Sequence, residues 1–180
     1  PKEFGKRMPD TNVFAMGRYF HQLFLEPDKA KEWDFLDVSS RNTKKYKEYV
    51  AELNERSSRP RGFALLHKEK EDVERWFNAM QTNLDFFEMI NADTNRYEVP
   101  AIKEIGGELW KGKADIVGKD YIYDLKTTGN INDFKWSARK YNYDSQAYIY
   151  EQLFGKPLVF YVIDKTSKML GIFKPTVATL

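Results

Sequence analysis

The chain has no cysteine, which removes disulfides, thiolate zinc and iron–sulfur centres together. The same absence fits a reducing compartment, so a cytoplasmic protein is expected. No run of about 18 apolar residues exists, so no membrane span or membrane partner is expected. Charge of one sign is not in excess: 29 Lys and Arg against 27 Asp and Glu leave +2. No basic field covers the molecule, and any attraction to phosphate has to come from local clusters. Internal repeats, low-complexity tracts and a signal-peptide pattern are missing too. The chain starts at Pro1 and reads as one domain over residues 1–180, either trimmed or part of something longer.

What is present suits a globular domain. With 180 residues and 42% hydrophobic content, there is enough chain to bury a core. The first half reads helical. Phe14, Met16, Phe20, Leu23 and Phe24 recur near helical spacing between Val13 and Leu25, and Pro27 closes that run. Helices are expected over 43–56, 69–80 and 84–90, with a loop over 57–62 broken by Pro60 and Gly62. The second half changes period. Strands are expected over 97–102, with Pro100 pointing to an edge, then over 108–117 and 121–126, joined by a two-residue turn at Gly118-Lys119. A stretch over 131–140, irregular or briefly helical, precedes a helix over 141–154. Strands over 158–163 and 169–173 follow. Helices first, then strands interrupted by a helix, predict an α/β fold with a mixed sheet.

Chemistry concentrates in the central hairpin, Gly112-Lys-Ala-Asp115 followed by Asp124-Leu-Lys126-Thr-Thr. Alternation puts Asp124 and Lys126 on one face of their strand and Leu125 on the other. With an even loop, Asp115 faces Ile122 and shares the side of Asp124; an odd loop needs a bulge to do so. Two carboxylates with water and substrate oxygens suit Mg²⁺. Taken alone, the Asp-x-Lys tripeptide reads as surface residues in an ion pair, and the features around it shift that reading. Gln146 and Tyr150 lie four apart on one helix face, with Tyr143 a turn earlier. His21 interrupts an apolar helix face.

In order and spacing these segments resemble the PD-(D/E)-x-K nuclease superfamily, and within it the exonuclease domain of exodeoxyribonuclease VIII (RecE) and related phage recombination exonucleases. The matching residues are Gly17 to His21, Leu23 to Pro27, Asp115, Asp124 to Thr128, and Gln146 to Tyr150. The resemblance covers the chain from about Phe14 to Phe173. It implies a restriction-endonuclease-like core, in which helices flank a central mixed β-sheet and the N-terminal half is helical. It also implies Mg²⁺-dependent cleavage of DNA from duplex ends, 5′ to 3′, with Mn²⁺ as a substitute. His21, Asp115, Asp124 and the carbonyl of Leu125 are then metal ligands. Lys126 is the catalytic lysine, while Gln146 and Tyr150 orient it and the DNA. A ring-shaped homo-oligomer and a single-strand annealing protein are implied partners. Other readings are an endonuclease or nickase of the same fold, or a catalytically silent DNA-binding module.

Several charged residues flank this set. Lys111, Lys113 and Lys119 surround Asp115, where relatives carry arginine or proline. Lys135, Arg139 and Lys140, beside Trp136, are candidates for the DNA backbone, whose binding is salt-sensitive. Glu98 either faces the metal region or is an ordinary strand carboxylate. His67, Glu104 and Glu108 read as surface, and Glu26-Pro27 as a helix end.

Overall fold

The computed structural model describes residues 11–56 and 63–175. The predicted loop over 57–62 lies outside the described residues. The chain divides into two compact units, Pro1–Arg75 and Trp76–Leu180.

The first unit holds α1 (Asn12–Leu25), α2 (Pro27–Ala30), β1 (Phe35–Leu36), α3 (Lys44–Arg56), β2 (Leu65–Leu66) and the first part of α4 (His67–Gln81). Thr11 caps α1 by accepting the Phe14 amide at 3.3 Å. Pro27 does not merely stop that helix: it occupies the first position of α2, where its missing N–H costs nothing. The parallel pair β1–β2 was not expected. At two residues per strand it is too short to show a period. It is anchored by Tyr46, whose hydroxyl exchanges bonds with the carbonyl and amide of Ala64 at 3.0 and 3.2 Å. Buried Glu69 accepts the Leu66 amide at 2.9 Å and pairs with Arg41 at 2.5 Å.

The second unit takes α4 to its end, then α5 (Leu84–Ile90), β3 (Arg96–Ile105), β4 (Glu108–Val117), β5 (Ile122–Thr128), a 3₁₀ turn at 131–133, α6 (Phe134–Lys140), α7 (Tyr143–Phe154), β6 (Leu158–Asp164) and β7 (Leu170–Phe173). The five strands lie in sequence order, antiparallel except for the parallel β5–β6 pair. That parallel pair needs a crossover, which α6 and α7 supply. Helices cover both faces of this mixed sheet, as the restriction-endonuclease-like arrangement requires. On one face Ile122, Leu158, Phe160 and Val162 pack with Phe134 and Ala147 of α6 and α7. On the other, Phe86 of α5 meets Tyr161 edge-on at 4.8 Å, and Tyr161 meets Tyr123 at 5.4 Å.

Two connections differ from expectation. β4 and β5 are joined by four residues, 118–121, because the register sets Val117 against Ile122. Gly118 has an ordinary negative φ, so no II′ turn forms; instead its amide bonds the Tyr121 carbonyl at 3.0 Å. A Cβ there would come 2.6 Å from the Tyr123 ring, which explains the glycine without any need for positive φ. Between α6 and α7, Asn142 adopts a left-handed φ of 54° and breaks what was read as one helix start.

Asp164 closes the far end of the sheet. Its Oδ2 accepts the Ile131 amide at 2.9 Å, and its Oδ1 accepts those of Thr166 and Ser167 at 2.8 and 2.9 Å. Burial pushes this carboxyl up, but the Ser167, Ile131 and Thr166 amides outweigh it and hold it below the usual aspartate range. A group lowered on folding contributes stability above its unfolded value and loses it as pH falls through the folded one. Asp164→Asn is therefore expected to cost about 1–3 kcal/mol at neutral pH. The gap to wild type should close with acidification below about pH 4, as read by urea unfolding across a pH series.

Candidate active site

The ladder between β4 and β5 is short. It pairs Ile116 with Tyr123 and Val117 with Ile122, and then stops. Bonded rungs alternate in an antiparallel ladder, so the Leu125 amide is the next donor due. It is taken by the side chain of Asp115, whose Oδ2 accepts it at 2.9 Å. Continuing the register past the last rung sets Asp115 opposite Asp124 rather than opposite Ile122. The loop is longer than expected but still even, so the two carboxylates keep the shared side.

The strands change face at the same place. Residues two apart on a strand normally share a face. Tyr97 reaches the α5 side, where its hydroxyl donates to the Ile90 carbonyl at 2.7 Å, yet Val99 packs in the cluster under α7. Their partners Ile116 and Ala114 follow the same switch. Between them the rung is missing, and Glu98 stands there with φ 53°. A left-handed φ on a non-glycine residue stores strain of order 1–3 kcal/mol. Glu98 is held by an ion pair to Lys113. Its register position is opposite Asp115, but its carboxylate is committed to the lysine.

On β5, Asp124 is only 4% exposed. Its Oδ1 accepts the Gln146 Nε2 amide at 2.7 Å, and its Oδ2 lies 2.6 Å from Lys126 Nζ. The ammonium sits against two rings, 5.0 Å from the centroid of Tyr143 and 5.8 Å from that of Phe160. Burial pulls the Lys126 pKa down; the Asp124 carboxylate, by charge and hydrogen bond, and then Asp115 outweigh it, so it lies above the usual lysine value. Lys126 is therefore a cation at neutral pH. Tyr143 and Tyr150 are both raised by burial, so both stay neutral hydroxyls there.

Of the residues singled out in the sequence, Asp115, Asp124, Leu125, Lys126, Gln146 and Tyr150 come together within the second unit. Gln146 grips Asp124, and Tyr150 donates to the Lys113 carbonyl at 2.9 Å. The two thus brace the carboxylate and the β4 backbone, and the side chain over Lys126 is Tyr143. Its helical offset from Gln146 was the available signal. His21 lies on α1 in the first unit, its Nδ1 at 2.8 Å from the Gly17 carbonyl. His67 is at the surface beside Glu71, 3.5 Å away. No cluster of three or more His, Asp or Glu side chains able to hold an ion occurs among the described residues. The protein's own contribution in the second unit is thus a carboxylate pair. Such a set fits a hard cation that completes its shell with water and phosphate oxygens.

Comparison with known proteins agrees with this architecture. Residues 3–169 match the model of a family described as a PDDEXK-like domain of unknown function. A crystal structure of a candidate exonuclease from Eubacterium rectale superposes with a TM-score of 0.65 at 18% identity, covering 94% of this chain. The chain spans 61% of that protein's length. A second solved structure, SSO0001, is more distant, with a TM-score of 0.38 at 14% identity over 89% of this chain and 77% of its own. No curated protein matches.

Gln146→Ala would leave a buried, charged acceptor without its amide. A loss of about 1.5–3 kcal/mol is expected, measured by denaturant unfolding. Gln146→Glu should cost at least as much, since it sets a second carboxylate against Asp124.

Proposed function

This chain belongs to the PDDEXK-like domain family of unknown function (DUF3799), and we propose that it is a nuclease, namely a Mg²⁺-dependent DNA exonuclease. The reading is that it hydrolyses phosphodiester bonds from duplex ends, 5′ to 3′, in phage-type recombination of the RecE kind. The observation that carries it is the half-buried Lys126 ammonium 2.6 Å from the buried Asp124, with Asp115 tied to the intervening Leu125 amide. A structural ion pair gains little from burial, because desolvation offsets the attraction. Placing a cation and two carboxylates in one partly closed site makes more sense where charge develops during a reaction.

Asp115 and Asp124 would hold the cation, with the Leu125 carbonyl beside them, and Mn²⁺ would substitute for Mg²⁺. Motif order adds His21 as a further ligand. When bound, the ion would supply an acidified water and neutralise charge on the phosphate. The chain's own groups do the rest. Lys126, held protonated by its carboxylates, would donate to the attacked phosphate or to the oxygen approaching it. Gln146 would hold Asp124 Oδ1 and so fix the orientation of that carboxylate. Tyr150, through the Lys113 carbonyl, would hold β4 and so Asp115 at its distance from β5. Lys111 and Lys119 would add local positive charge that the whole chain lacks. A homo-oligomeric ring and a single-strand annealing partner complete the proposal by resemblance.

The test is digestion of end-labelled duplex DNA with and without Mg²⁺, beside a duplex closed at both ends. The open duplex should shorten from its 5′ ends only with the metal, and the closed one should survive. Asp124→Ala should lower the rate by about a thousandfold or more, and Lys126→Ala by about a hundredfold or more. Cutting of the closed duplex would replace the exonuclease by an endonuclease. Undiminished digestion by Asp124→Ala would dismiss the site.

A further inference from the structure

We infer that α6 and the residue after it form a stacking platform for unpaired bases at a DNA end. This rests on the nuclease reading and deepens it, since it makes a frayed or single-stranded terminus the substrate presented to Lys126.

The segment Phe134–Tyr141 buries one residue, Phe134, in the core and leaves two large rings in water. Trp136 is 57% exposed and Tyr141 59% exposed. Both carry cations. Lys135 Nζ and Arg139 Cζ lie 5.1 and 5.7 Å from the Trp136 ring centroid, and Lys140 Nζ lies 5.6 Å from that of Tyr141. The helix contains three basic residues and no acidic one. The acids flanking it are engaged locally: Asp133 accepts from Asn130 at 2.7 Å, and Asp144 accepts the Ser145 amide at 2.8 Å.

The platform is continuous with the site. The Tyr141 ring lies 5.9 Å from that of Tyr143, inclined by 31°, and Tyr143 in turn covers Lys126 at 5.0 Å. The Tyr141 and Tyr143 rings therefore lead from solvent to the Lys126 ammonium, with the Lys140 charge beside the outer ring. Exposed rings interleaved with cations suit a strand whose bases stack and whose phosphates meet the charges. A paired, internal base has no free π-face to offer, so the arrangement favours an unpaired end over a continuous duplex. Stacking also tolerates every base, which a strand-shortening enzyme needs.

Binding without divalent cation isolates this step, because no strand is then cut. The probes are fluorescein-labelled oligodeoxythymidylate and a blunt duplex of equal charge, read by anisotropy. Trp136→Ala and Tyr141→Ala should each weaken single-strand binding by about tenfold, with duplex binding changed by less than about threefold. Trp136→Phe should stay near wild type, since it keeps a face to stack on. Equal losses on both probes, no loss on either, or no single-strand binding by the wild type would each overturn the platform. Digestion with Mg²⁺ separates the two readings. Ring-dependent single-strand binding without any hydrolysis would defeat the nuclease and not the platform; hydrolysis without ring dependence would do the reverse.

Discussion

The site depends on one substitution of bonding partner: a backbone amide of β5 is satisfied by a side chain of β4. Had the ladder continued, Leu125 would have bonded main chain to main chain, and the two strands would have stayed at ordinary spacing. Because the Asp115 carboxylate takes the amide at 2.9 Å, the strands part after only two rungs. The ladder ends there without leaving the amide unsatisfied, which a buried backbone group does not tolerate. The end of the ladder and the seating of Asp115 against β5 are the same event.

The electrostatics follow from that opening. Asp124 is buried between an amide and an ammonium. Burial opposes the Lys126 charge, and the Asp124 carboxylate, with Asp115 beside it, maintains it. The aromatic walls, Tyr143 and Phe160, raise the stakes by excluding water while offering a π-face to the cation. Helix α7 supplies Gln146, Tyr143 and Tyr150 from one side, so a single element fixes the carboxylate, the lysine and the neighbouring strand.

Much of this was legible in the residues. The helical stripe of α4, the edge position of β3 and the strands β4 and β6 follow from apolar period and from Pro100. Motif order named Asp115, Asp124, Leu125, Lys126, Gln146 and Tyr150, which the second unit brings together. The turn length was not: a glycine at 118 suggested positive φ, whereas here it answers to the Tyr123 ring 2.6 Å from where its Cβ would be. Tertiary crowding, which leaves no local signature, decided it. The β1–β2 pair was too short for periodicity to register, and the face switch at Glu98 and Asp115 cannot be seen in a pattern that assumes strict alternation. A helical offset tells which side chains share a face, and the neighbour each one meets is set by the sheet beneath.

The early end of the β4–β5 ladder has a dynamic consequence as well. Beyond Ile116, β4 has no partner but β3, so residues 99–114 form a two-stranded ribbon closed at Gly106-Gly107. Isolated ribbons of this kind are marginal in water, and this one leaves Ile102 and Leu109 exposed. Its lateral support is α7, through the Lys103 ammonium on the Gln152 carbonyl at 2.8 Å, the Tyr150 hydroxyl on Lys113, and the close seat of Leu153 over Gly112. Amide exchange should therefore report α7 and the ribbon as one cooperative opening unit, distinct from the slower strands β5 and β6. Any breathing of that unit would loosen Gln146 from its carboxylate in the same motion.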